Sequence, residues 1–148
     1  STLAAVADLN ISEAIIGDAG ATLVEAISAS SSLEFITIGK GLRLPLKDNY
    51  GSDVLDAAGK GIEAGGATVI AWWFTTDAAA AIASLDCSQN DAITGKRSKD
   101  NDGVAPWIYG EELEGWVALC SSLSGSSITS LNFSECELKS ESLTPLKK

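Results

Sequence analysis

Carboxylates are the side chains in this sequence with the most chemical potential, and they stand without the partners that catalysis needs. Twenty acidic residues face ten basic ones, for a formal charge of −10, and no histidine occurs in 148 residues. A general base poised near neutral pH is therefore missing. There is no Gly-x-Ser-x-Gly elbow and no phosphate loop, and the two arginines, Arg43 and Arg97, fall in irregular segments. The expectation is a protein that is not an enzyme. A basic stripe is also absent, which argues against nucleic acid and against an anionic membrane surface, whereas a basic segment of a partner protein suits this charge. Without histidine or a Cys-x-x-Cys pair, a zinc site is not expected. Asp100-Asn101-Asp102-Gly103 is faintly like a calcium loop. The roughly twelve-residue frame would start at Ser98 and end at Tyr109, where a glutamate is required, so neither metal nor cofactor is expected.

Positioning these acids falls to short strands. One spacing recurs, clearest in Ile128-x-x-Leu131-x-Phe133-x-x-Cys136-x-Leu138 and present again at Val6, Leu9, Ile11 and Ala14. Leu33, Ile36, Ile38 and Gly41 each follow those residues by 27 positions. A compressed copy has Leu55, Ala57, Lys60 and Ile62 at template positions, and a fifth has Ile82, Leu85, Cys87 and Asn90. Residues alternate sides along a strand, so Leu9 and Ile11 can face a core while Asn10 faces outward. Apolar residues at helical spacing predict helices over 21–27, 67–74 and 113–123. The stretch 42–52, with Pro45 and the turn signal Asn49-Tyr50-Gly51, reads as an irregular crossing.

This pattern resembles a leucine-rich repeat. Ile-Gly-Asp-x-Gly-Ala at 16–21, followed by a helix and the copy at Leu33, resembles the ribonuclease-inhibitor-like class. The resemblance implies an α/β fold, a right-handed leucine-rich-repeat solenoid with a short parallel sheet on the concave face and helices on the convex face. It implies one domain over 1–148 of about five units, with an insertion at 94–110. Members of this class mostly bind proteins, and a few regulate GTPases. The chain starts and stops inside units and lacks methionine, so it reads as a fragment or processed form as readily as a whole protein.

On such a sheet the residue between the two template leucines points outward, giving the row Asn10, Thr37, Asp56, Asp86 and Asn132, with Asp8, Glu34, Phe35 and Asp53 beside it. That acidic concave strip is the first candidate binding site. The second is the 94–110 insertion, where Lys96, Arg97 and Lys99 precede Trp107 and Tyr109, aromatic residues of the kind that anchor interfaces. Trp72, Trp73 and Phe74 are consecutive on an expected helix and, about 100° apart, cannot all face the sheet; Trp73 is taken as a helical-side anchor. Asn10-Ile11-Ser12 and Asn132-Phe133-Ser134 match the glycosylation sequon, but both sit at one repeat position, so repeat grammar accounts for them.

Cys87, Cys120 and Cys136 lack tight spacing and read as small buried residues in a reducing compartment, with a disulfide as the alternative; the first reading points to a soluble intracellular protein. The apolar stretch 67–85 is broken by repeat phase at Ile82 and Leu85 and reads as helix plus strand, not as a membrane span. The sequence thus predicts a protein-binding module with an acidic concave face. The alternative is a structural subunit wedged by its helical face and exposed ends into a larger assembly, membrane-associated or not, and behind both stands a GTPase regulator using Arg97.

Overall fold

A computed structural model describes residues 5–97, 107–108 and 113–147. Among them the chain forms strands β1 (Asp8–Asn10), β2 (Phe35–Ile38), β3 (Leu42–Pro45), β4 (Val54–Asp56), β5 (Ser84–Asp86), β6 (Lys96–Arg97), β7 (Trp107–Ile108) and β8 (Ser130–Asn132). Four α-helices lie between and after them: α1 (Gly20–Ala29), α2 (Ala64–Trp73), α3 (Glu114–Ser124) and α4 (Ser140–Leu143). The strands make two three-stranded sheets, ordered β1-β2-β3 and β4-β5-β8, and a small β6-β7 ladder.

This corrects the expected architecture. The chain is a small α/β fold and not a repeat solenoid, because no single parallel sheet runs through it. β1 and β2 pair in parallel, Leu9 opposite Ile36, and β4, β5 and β8 pair in parallel, with Leu55, Leu85 and Leu131 in register. Between these groups β3 folds back antiparallel onto β2, Ile38 opposite Leu42 and Phe35 opposite Pro45. Of the segment expected as an irregular crossing, 46–52 are irregular, but the first four residues, Leu42–Pro45, are thus a strand. Its cause is local: Gly39 and Gly41 hold φ of 59° and 98°, a left-handed conformation that glycine alone adopts cheaply, and the chain reverses there. Leu42 and Leu44 turn inward and Arg43 outward. Once β3 occupies the second edge of β2, β4 cannot pair there, and the sheet divides.

α2 binds the two sheets into one core. Eight of its ten residues are buried, Ala64, Gly65, Gly66 and Ala67 among them, so it is covered on several sides and lacks a polar stripe. Glycines permit the close approach. A Cβ on Gly65 would come 2.6 Å from the Ile16 Cβ, and one on Gly115 would strike the Ala64 carbonyl. Glu63 caps the helix from a nearly fully buried position. Its carboxylate accepts from the Gly66 and Gly65 amides at 2.9 and 3.3 Å, and from the Gly17 amide at 2.7 Å. One charge is thereby satisfied by three N–H donors, and the β1 region is tied to α2. Beneath the helices, Ile36, Ile38, Leu44, Leu55 and Leu85 pack with Val69, Ile70 and Trp73. Each fully buried large side chain of this kind contributes roughly 1.5–3 kcal/mol.

No helix among the described residues is long and apolar enough to cross a membrane.

Candidate functional site

The outward row is set by one recurring turn. Asn10 accepts the Ser12 amide on Oδ1 at 2.9 Å, and Asp56 accepts the Ala58 amide at 3.1 Å. Asp86 accepts both the amide and the hydroxyl of Ser88, at 3.0 and 2.7 Å. Asn132 does the same with Ser134, at 3.0 and 2.8 Å. Each side chain closes the chain two residues ahead, which stops the strand and starts the turn. The two sequon asparagines therefore already have a structural use.

Below these turns, Asn90 occupies the template asparagine position and is buried. Its amide nitrogen donates to the Ala57 and Cys87 carbonyls, both at 2.8 Å, while its oxygen accepts from the Ile62 amide at 2.9 Å. Cys136 takes the equivalent place one strand later and donates its thiol to the Cys87 carbonyl at 3.0 Å. All three cysteines are buried and free. Burial raises each thiol above its ordinary range, Cys120 to about 11. They are packing groups in this structure and poorly disposed to act as nucleophiles.

The divided sheet splits the expected acidic strip in two. Asp8, Asn10, Phe35 and Thr37 belong to the first sheet, with Glu34 just before β2. There Arg43, reaching from β3, donates to Asp8 at 2.9 Å and lies 3.9 Å from the centre of the Phe35 ring. This is the one ion pair found among the described residues. Asp56 and Asp86 belong to the second sheet, adjacent in register with Asn132 beyond, and Asp53 precedes β4. No described cation neutralises that group. Behind it in the same face lie Val54, exposed, and its register partners Ser84 and Ser130.

The aromatic expectations are also redistributed. Trp73 is no surface anchor: it is fully buried, donates its indole N–H to the Pro45 carbonyl at 2.8 Å and meets Tyr50 edge-on at 5.6 Å. Its neighbour Trp72 is the half-buried one. It lines an open groove of about 530 Å³ between α1, α2 and α3, with Val24, Thr68, Ala71 and Ala118 and without a charged side chain. In the insertion, Arg97 and Trp107 are register partners in the β6-β7 ladder. Tyr109 and the 100–103 calcium-like segment lie outside the described residues. Among the described residues no group of three or more acids and cysteines is placed to hold a metal.

Sequence reasoning placed Arg43 in an irregular segment and Leu131 at a core-facing template position, and it passed over Glu63 and the exposed Val54. Arg43 was legible as the outward member of the alternation Leu42-Arg43-Leu44. Glu63 stands directly before the Ala64-Gly65-Gly66 helix start, where an acid complements the helix dipole. No family model matches the chain, and no curated protein or solved structure matches it either.

Proposed function

We propose that this chain is a non-catalytic protein-binding module that receives a basic segment of its partner across the outer face of β4, β5 and β8. One observation carries this reading: Asp56 and Asp86 stand side by side in register without a described counter-ion. Their turn-closing work does not require charge, since Asn10 and Asn132 perform it as neutral amides. Adjacent like charges on a sheet are mutually destabilising. The cost is offset when a partner supplies lysine or arginine, which also speeds encounter.

The same reasoning supplies the test. Asp56→Asn with Asp86→Asn keeps both turns and removes both charges. Binding of a labelled arginine-rich peptide, followed by fluorescence anisotropy, is expected to weaken roughly tenfold in the double variant, and in wild type to fade as salt shortens the screening length below about 8 Å. Equal affinity for both proteins would overturn the proposal.

A second reading draws on the uncharged groove beside Trp72, namely an accessory subunit seated in a larger assembly by its helical side. Under that reading Trp72→Asp releases the subunit from its complex, and the double asparagine variant does not.

A further inference from the structure

Among the described residues the second sheet ends on β8, which pairs with β5 on one side only. Leu131 is 44% exposed there, while Leu55 and Leu85, its register partners, are completely buried. All three residues of β8 are exposed. The Ser130 amide donates to the Ala83 carbonyl and the Asn132 carbonyl accepts from the Cys87 amide, so these groups face β5. Alternation along a parallel strand then directs the N–H and C=O of Leu131 away from β5.

The helical side continues past this edge and the sheet does not. α4 packs beside α3 through the Trp116 indole, which donates to the Ser142 carbonyl at 2.6 Å. Beside the bare edge lies a cleft of about 160 Å³ lined by Cys120, Leu123, Leu131, Pro145 and Leu146, and Leu146 is itself exposed. Just beyond the end of β8, Glu135, Glu137 and Glu141 are exposed, with Lys139 the cation described among them.

We propose that the free edge of β8 accepts an extended segment of another protein as an added parallel strand, with an apolar side chain over Leu131 and lysine or arginine following it beside Glu135 and Glu137. Main-chain pairing supplies the attachment and the pocket selects the side chain, as in other cases of strand addition. The parallel pairing of β4, β5 and β8 sets the direction and charge sets the partner. The acids lie at the carboxyl end of β8, so a parallel segment carries its cations after its apolar residue. A second copy of this chain, with a net charge of −10, is disfavoured as occupant. The edge is separate from the face proposed above and does not depend on it.

The probe is a short labelled peptide of alternating valine and threonine that ends in lysines, titrated into the whole chain. Saturable binding is expected, at least tenfold weaker with Leu131→Lys and with a peptide N-methylated at the alternate amides that pair with β8. N-methylation of the other alternate set is expected to leave affinity unchanged, as is the double change of Asp56 and Asp86 to asparagine. Because N-methylation alters only the peptide, that result is independent of how Leu131→Lys folds. Absence of binding, indifference to both methylation patterns, loss of binding in the double asparagine variant, or self-association that excludes the peptide in sedimentation would each overturn the proposal.

Discussion

The first sheet pairs one of its acids with a cation of its own and the second does not. In the first, β3 folds back to occupy an edge of β2, and Arg43 supplies both a counter-ion for Asp8 and a cover for Phe35. In the second, the acids Asp56 and Asp86 are left without a described cation, and the edge strand β8 carries an exposed leucine. The difference arises from a four-residue strand and one arginine. A surface whose acid already holds a cation has less to offer a basic partner, whereas the second sheet retains two adjacent acids without a described cation and, on its edge strand, an exposed leucine.

The largest way to probe this contrast is by truncation along the leucine row. Leu85→Ala is expected to cost about 2–5 kcal/mol in chemical denaturation, since a completely buried side chain leaves a cavity. Leu131→Ala, already half in water, is expected to cost about 1 kcal/mol or less. Equal losses would show that the β8 edge is covered, and the contrast would fail.

A smaller effect separates the two halves by pH. Every thiol belongs to the half that holds the second sheet. Cys120 has its thiol raised from 9.0 to about 11 by burial, and burial raises Cys87 and Cys136 too. A raised folded-state value means that the unfolded chain loses its proton first. The stability held in these thiols is thus fully present below about pH 9 and declines as the pH climbs toward about 11. Hydrogen exchange across that window is expected to accelerate first around β5, β8 and α3. Loosening that begins at β1 and β2 would contradict this assignment.

The smallest effect concerns Arg43. Its ion pair with Asp8 is half exposed, so Arg43→Ala is expected to cost about 1 kcal/mol or less in a thermal or denaturant melt. The informative readout is binding. Freed of Arg43, the first sheet is expected to gain weak, salt-sensitive affinity for the arginine-rich peptide; no gain would mean that Arg43 does not silence this face.

Strand positions were legible because a strand with one buried face imposes alternation, and a recurring turn imposes a recurring spacing. Leu9 and Ile36 meet in register, as do Leu55, Leu85 and Leu131, all at positions that the recurring spacing aligns, but the same spacing aligns Ile36 with Leu55, and those two lie in different sheets. The three longer helices fall close to the expected segments for the same reason. The break between sheets was not legible in that way. Gly41 fits the turn position of the repeat, and only the positive φ of both Gly39 and Gly41 shows that the chain reverses there. Trp72 and Trp73 look alike in sequence. The rotation of α2 between the sheet and its neighbouring helices decides that Trp73 is buried against Pro45 and Tyr50 while Trp72 faces the groove.

The sequence by itself determined the acidity, the alternation that makes strands, the helical spacing between them and the Asx residues that close each turn, because all of these act between residues close in the chain. Only the tertiary structure decided which strands share a sheet, which acid meets Arg43, and which leucine and tryptophan stay in contact with solvent. Those outcomes depend on which edges and faces are already occupied by distant segments, and one hairpin after β2 was enough to redistribute them.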